Sequence, residues 1–113
     1  MKHYMHLNPE PFEKIASGRK TIELRLYDEK RQQIKVGDIL VFTNLDNKEA
    51  LQTKVVNLHR FAFFQELYSE LDLVKCGYMK ETAHLATPEH MEKYYSKEKQ
   101  QKYGVLGIEI CVM

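Results

Sequence analysis

Residues 21 to 26 alternate between polar and apolar side chains, and this pattern constrains the fold more than any other part of the sequence. The apolar positions are Ile22, Leu24 and Leu26. A period of two is typical of a β-strand with one buried face. Glu23 and Arg25 occupy the positions between, so they are expected to project together from the other face, about 7 Å apart. The segment therefore predicts a strand that presents a carboxylate beside a guanidinium.

Short helices and further strands surround this segment. Asn8-Pro9 is a typical helix start, and Gly18 stands where such a helix should end. The predicted helices are residues 9 to 17 and 61 to 71, with two more beginning at Thr87-Pro88 and at Ser96. The predicted strands are residues 1 to 7, 21 to 26, 39 to 42, 51 to 59 and 105 to 112, the last of them central in the sheet. At 113 residues, we expect one domain spanning residues 1–113.

The charge is nearly balanced over the whole chain but not along it. The net charge of +1 excludes the broad basic footprint of a tight duplex-DNA binder. Between Lys14 and Lys35, however, seven basic residues stand against three acidic ones. Such a cluster marks either a solvated face or a local site for an anionic partner.

Two features of the sequence indicate the cellular compartment of the protein. No apolar run approaches the roughly 20 residues of a membrane helix, and the first residues lack a signal-peptide core. Cys76 and Cys111 are far apart in the sequence, and Cys111 lies in an apolar run, which favours a buried thiol over a disulfide. We therefore expect a cytoplasmic protein without a membrane partner.

The sequence contains no motif for phosphate-binding loops, metal sites or nucleophilic catalysis. Gly18-Arg19-Lys20-Thr21 is not a P-loop, because no glycine directly precedes the lysine and a helix rather than a strand precedes the segment. The five histidines and two cysteines show no metal-ligand spacing. Neither cysteine has a neighbouring base, and Ser96 fits a helix cap better than a nucleophile. The sequence predicts neither a metal nor a cofactor.

The strand from Lys20 to Arg25 is the main candidate site. Arginine offers planar, paired donors to a phosphate or a base edge, and glutamate accepts from an amino group or acts as a general base. The pattern also fits a simple ion pair on an exposed sheet face, and that alternative stays open.

A second candidate is the aromatic and basic stretch from Tyr94 to Tyr103. Tyrosines beside lysines are the composition of a stacking platform for unpaired bases. The helical spacing of Met91, Tyr94 and Tyr95 instead favours packing against the sheet, so Tyr94 is expected to be buried.

These motifs resemble the signature of one family. Gly18-x-Lys20-x-x-Glu23-x-Arg25, followed by Gly37-Asp38 and a closing strand from Tyr103, is similar to the G-x-K-x-x-E-x-R pattern of ASCH domains. The resemblance implies an α+β fold, a PUA-like mixed β-barrel of about five or six strands with flanking helices, and a cleft lined by the signature strand. It also implies a role in RNA binding. The ligand-binding residues it suggests are Lys20, Glu23, Arg25, Tyr95, Ser96 and Tyr103.

The leading interpretation is therefore a protein that binds RNA or a nucleotide in this cleft. One alternative is a hydrolase of RNA or of a modified nucleoside, with Lys20 and Glu23 as catalytic residues. One branch of the family resembles an N4-acetylcytidine amidohydrolase, but Glu23 stands where that branch has its nucleophilic threonine. The other alternative is a protein interaction module in transcription or translation regulation, offering the aromatic helix of residues 61 to 71 to a partner.

Overall fold

A computed structural model describes residues 1–113 and contains one five-stranded sheet with three α-helices. The strands are β1 (Lys2–Leu7), β2 (Ile22–Leu26), β3 (Ile39–Asn44), β4 (Ala50–Phe61) and β5 (Val105–Val112). The helices are α1 (Pro9–Ala16), α2 (Phe64–Glu70) and α3 (Lys97–Tyr103). Single 3₁₀ turns lie at Arg31–Gln33, Ala83–Leu85 and Pro88–Met91. No helix is both long and apolar enough to cross a bilayer.

The strands lie in the order β1-β3-β4-β5-β2, and the sheet curls into a half-barrel. β1 runs parallel to β3, and every other pair is antiparallel. The first two strands of the chain therefore form the two edges of the sheet, and the curl leaves a gap between them. Side chains from the β2 side bridge this gap. Arg25 Nη2 donates to the His6 carbonyl at 3.1 Å, and Lys30 Nζ donates to the Tyr4 carbonyl at 2.7 Å.

Apolar side chains form two clusters, one on each face of the sheet. The first cluster fills the half-barrel beneath α1 and includes Phe12, Phe42 and Leu106. The second lies beneath α2 and includes Phe64 and Val105. The adjacent β5 residues Val105 and Leu106 belong to different clusters, because successive strand residues point to opposite faces. β5 is an interior strand, between β4 and β2, and it joins the two halves of the core; the middle strand of the sheet is β4 and not β5 as the sequence pattern predicted.

Helix α2 packs closely on the sheet because β5 has a glycine beneath it. A Cβ atom at Gly107 would lie 2.9 Å from Cδ1 of Leu71, directly after α2, and 3.7 Å from Cδ1 of Leu67 within α2. Glycine thus permits the close approach of α2, whose Phe64 and Leu67 are fully buried.

The predicted α+β architecture is confirmed, and three further details of it are wrong. The helix predicted at residues 61 to 71 begins only at Phe64, because β4 continues to Phe61. The helix predicted from Pro88 is a single 3₁₀ turn. Cys111 is exposed rather than buried, because β5 extends past the core at its last residues, whereas Cys76 is buried.

Candidate functional site

The chain turns Glu23 inward, into a cleft between the two sheet edges. Ile22, Leu24 and Leu26 are buried in the second cluster, so the alternate β2 residues must face the other way. Glu23 lies there with only 4% of its surface exposed. The predicted pairing of Glu23 and Arg25 on one face of a strand is what the structure contains, but that face lines a cleft and not an open surface.

Two cations hold the buried carboxylate, one at each oxygen. Lys20 Nζ lies 2.7 Å from Glu23 Oε1. Arg25 approaches the other oxygen with two nitrogens, Nε at 2.9 Å and Nη2 at 2.8 Å from Oε2. All three side chains are at least 85% buried, since Lys20 is 12% and Arg25 is 14% exposed. The group carries one net positive charge at the floor of the cleft.

The ionisation of this group follows from its neighbours. Burial tends to raise the pKa of Glu23, but the charges and hydrogen bonds of Lys20 and Arg25 outweigh it and lower that pKa below its usual value. Burial likewise tends to lower the pKa of Arg25, and the attraction of Glu23 outweighs it and raises that pKa. Glu23 is therefore a carboxylate at neutral pH, able to accept hydrogen bonds and unable to donate one.

The turn after α1 places Lys20. Its backbone N–H donates to the Lys14 carbonyl at 2.9 Å, and the N–H groups of Thr21 and Ile22 both donate to the Lys75 carbonyl, at 2.8 and 2.9 Å. The stem of Lys20 then packs on Gly77, where a Cβ atom would lie 3.1 Å from Lys20 Cδ. The segment around residues 75 to 77 therefore presses the lysine toward Glu23.

Above these charges the cleft opens into a cavity of about 580 Å³, within the usual size range of small-molecule sites. Its walls come from the end of β1, from α1 and from the segment between Cys76 and Tyr95. The rim is aromatic: Tyr95 is half-buried and stacks on Phe64 with ring centroids 5.9 Å apart, whereas Tyr94 is 62% exposed. The expected burial of Tyr94 is wrong, because the single 3₁₀ turn before it cannot continue the helical face on which that expectation relied.

The six residues suggested for ligand binding fall into three places. Lys20, Glu23, Arg25 and Tyr95 line the cavity together. Ser96 is exposed and caps α3, accepting a hydrogen bond from the Lys99 N–H at 3.2 Å. Tyr103 lies in a separate, smaller cavity. Only the first four are brought together, and a ligand-binding role for any of the six stays a prediction.

Sequence reasoning missed several parts of the cavity wall. Tyr68 and Tyr78 join by their hydroxyl groups at 2.5 Å, and Tyr78 lies 3.4 Å from His90 Nδ1. Lys14 Nζ donates to the Gly77 carbonyl at 2.8 Å. Only the contact between Lys14 and Gly77 joins residues far apart in the chain. The irregular segment that supplies at least one partner of every contact shows no periodic pattern from which the contacts could be predicted.

One cysteine lies near the cleft, and its environment disfavours the thiolate. Cys76 lines the cavity, but burial raises the pKa of its thiol to about 12, so the thiolate needed for attack does not form at neutral pH. No three or more histidine, cysteine or acidic side chains come together in a way that could hold a metal ion.

The curled sheet, its flanking helices and the cleft define an α+β domain of PUA-like fold. The ASCH domain family matches residues 5–112, and the chain belongs to that family, which is associated with RNA binding. None of the proteins of curated function shows significant similarity to it.

Solved structures agree with this assignment. The chain is 35% identical to the hypothetical protein PH0355 over the full length of both, with a TM-score of 0.82. It is 33% identical to protein PF0455 from Pyrococcus furiosus, covering 100% of this chain and 98% of that one, with a TM-score of 0.73. An ASCH protein from Zymomonas mobilis is 13% identical with a TM-score of 0.65, covering 97% of this chain and 66% of that one, which shows a shared fold.

Proposed function

We propose that the cleft binds one nucleotide of RNA, or a free nucleotide, through the charges at its floor and the tyrosines at its rim. The observation that carries this proposal is the buried Glu23 carboxylate, held between two cations at the bottom of a cavity large enough for a nucleobase. A buried ionised group is costly unless it is paired, and this group is both paired and open to a ligand.

Each part of the site suits one part of a nucleotide. Glu23 accepts from an exocyclic amino or ring N–H group of the base. Lys20 and Arg25 donate to a phosphate or carbonyl oxygen, and the net positive charge of the group favours an anionic ligand. Tyr94 offers an exposed ring on which a base can stack. The family's association with RNA supports the same choice of ligand.

Binding is better supported than acid–base catalysis. A general acid must carry a proton near neutral pH, and the lowered pKa of Glu23 leaves it without one. The same lowered pKa makes Glu23 a weak general base, because an efficient base has a pKa near the operating pH. We therefore expect wild-type protein to leave labelled RNA and N4-acetylcytidine intact. Turnover that disappears in Glu23→Gln protein would instead establish a hydrolase.

The test is calorimetric titration with the four nucleoside 5′-monophosphates and a short single-stranded RNA. Arg25→Ala should abolish binding. Tyr94→Ala should weaken it by roughly fivefold or more, the usual contribution of one stacked base. Because Tyr94 is exposed, this second variant should keep the wild-type melting temperature.

Tyr4→Ala is the matched control. Tyr4 is 58% exposed, much like Tyr94, but it lies on β1 outside the cavity. Its replacement should leave binding unchanged. Equal affinities for wild type, Tyr94→Ala and Arg25→Ala would remove the cleft as the binding site.

A further inference from the structure

A second cavity of about 400 Å³ lies at the end of the half-barrel where β2, β4 and β5 meet. Tyr27 follows β2, Arg60 and Phe61 end β4, and Tyr103 and Gly104 lead into β5. None of its lining residues belongs to the cleft around Glu23. The two cavities are separate sites on one molecule.

Arg60 is the unusual residue of this second cavity. Its guanidinium carbon lies 3.9 Å from the centre of the Tyr27 ring, a cation–π contact. The other three arginines are each bonded within the chain: Arg19 to Ser17, Arg25 to Glu23 and Arg31 to Asp28. Arg60 is exposed and donates no side-chain hydrogen bond and forms no ion pair. None of its five N–H groups has a hydrogen-bond acceptor within the protein.

A second cation lies beside another aromatic ring of the lining, Tyr103. Lys102 Nζ lies 5.1 Å from the centre of the Tyr103 ring and has no carboxylate partner. Gly104, which also lines the cavity, has a φ of +77°, and a Cβ atom there would lie 3.1 Å from the Phe61 carbonyl oxygen, so the position requires glycine. Glu66 is the single acidic residue of the lining, and it is not within ion-pair distance of Arg60. The cavity therefore has aromatic sides and one arginine without an ion-pair partner, and Lys102 lies beside its Tyr103 ring.

We propose that this cavity is a second nucleotide-binding site, where an unpaired base of single-stranded RNA packs against Tyr103 and an adjacent phosphate accepts hydrogen bonds from Arg60. The planar guanidinium of an arginine that packs on an aromatic ring can donate two parallel hydrogen bonds to two oxygens of a phosphate. Aromatic rings beside it are the usual platform for unstacked bases. The proposal rests on the proposed function only in its choice of RNA as the partner.

The two sites lie along one extended segment. Glu23 and Arg25 face the cleft, and Tyr27 follows at the next alternate position, about 7 Å further on. One RNA strand that runs beside β2 can place successive nucleotides at both sites. Oligonucleotides should therefore bind more tightly than mononucleotides, because the second contact becomes intramolecular.

The experiment measures fluorescence anisotropy with a labelled single-stranded RNA of about ten nucleotides, alongside mononucleotide titrations. Arg60→Ala should weaken oligonucleotide binding about tenfold and lower the slope of log affinity against log salt by about 0.7, while leaving mononucleotide binding at the cleft unchanged. Lys54→Ala is the control, because Lys54 is also exposed on β4 and carries the same charge outside the cavity. Equal losses in these two variants would overturn the proposal.

A second pair of variants tests stacking. Tyr103→Phe keeps the ring and should bind the oligonucleotide like wild type, whereas Tyr103→Leu should weaken it several-fold at an unchanged salt slope. If Arg60→Ala instead abolishes binding of a polyglutamate or phosphoserine peptide and leaves RNA affinity intact, the cavity is a site for acidic protein segments and the RNA assignment is wrong. Mononucleotide binding by Tyr94→Ala protein tests the cleft, and oligonucleotide binding by Arg60→Ala protein tests the second cavity. A negative result at one site can therefore be told apart from a negative result at the other.

Discussion

Glu23 links the stability of the domain to the chemistry of its cleft. Its carboxylate is buried, and both of its oxygens face cations that also line the cavity. The alternation of residues 21 to 26 was enough to predict that Glu23 and Arg25 share a face. It could not predict that this face is buried, because a strand pattern distinguishes two faces without saying what covers either. The cover comes from the segment of residues 76 to 95, which is distant in sequence.

Replacing Glu23 by glutamine should destabilise the protein. The change leaves Lys20 and Arg25 close together without their shared counter-charge, which we expect to lower the free energy of unfolding by about 3 to 5 kcal/mol at pH 7. Urea denaturation measures the difference. Glu13→Gln, at an exposed position of α1 without an ion pair, should have almost no effect.

Glu23→Gln should also remove part of the pH dependence of the free energy of unfolding. The pKa of Glu23 is lowered in the folded protein from an ordinary value of 4.5, so its contribution to stability is fully present above pH 4.5 and is lost as the pH falls through the folded value. The difference in stability between wild type and Glu23→Gln should thus shrink below pH 4.5. A difference that stays constant down to pH 3 would contradict the ionic role of Glu23. Asp38, whose pKa a hydrogen bond from His3 lowers to about 2, contributes equally to both proteins and cancels.

Among the elements, the regular ones were predictable and the irregular segment was not. β5 was predicted at the residues where it occurs, and α1 within one residue, because periodic apolar residues and clear end signals mark both. The segment between α2 and α3 contains only two 3₁₀ turns and carries no such signal. Its position depends on individual contacts, such as the Lys75 carbonyl with β2 and Gly77 with Lys20. Those contacts hold in place a segment that supplies eight of the twenty residues lining the cleft.

Gly77 provides a test of this segment. Its φ of +108° disfavours any side chain, and a Cβ atom there would press on Lys20 at 3.1 Å. Gly77→Ala should lower the free energy of unfolding by about 1 to 3 kcal/mol and also weaken nucleotide binding. Gly37→Ala is the matched control, since Gly37 has a similar φ of +95° but no atom within 4 Å of the added Cβ. Both variants should lose similar stability, and only Gly77→Ala should lose affinity in calorimetry.

At the scale of the whole molecule, the two apolar clusters depend on one sheet. β5 contributes Val105 to one cluster and Leu106 to the other, and both residues are fully buried. If β5 leaves the sheet, both clusters are exposed to solvent. The two apolar faces of β5 predicted a well-buried strand, whereas its place beside the middle strand β4 and the pairing of β1 with β3 across the chain have no local signal.

The domain should therefore unfold in one cooperative step. The chain has no tryptophan, and four of its seven tyrosines pack in or against the cluster beneath α2: Tyr68, Tyr78, Tyr95 and Tyr103. Tyrosine fluorescence consequently reports on that half, while far-ultraviolet circular dichroism reports on the complete sheet. The two signals should share one midpoint in urea. An earlier transition by fluorescence would show that the α2 side unfolds independently.

The gap between β1 and β2 is bridged in part by Arg25, a side chain that also lines the cleft. Arg25 uses the same Nη2 atom to hold Glu23 and to reach the carbonyl of His6 on the opposite edge. A nucleotide that draws this guanidinium toward itself, as we propose, would weaken one of the two side-chain bonds across the opening, whereas the bond from Lys30 to the Tyr4 carbonyl would remain. Binding in the cleft would then loosen one edge of the half-barrel against the other.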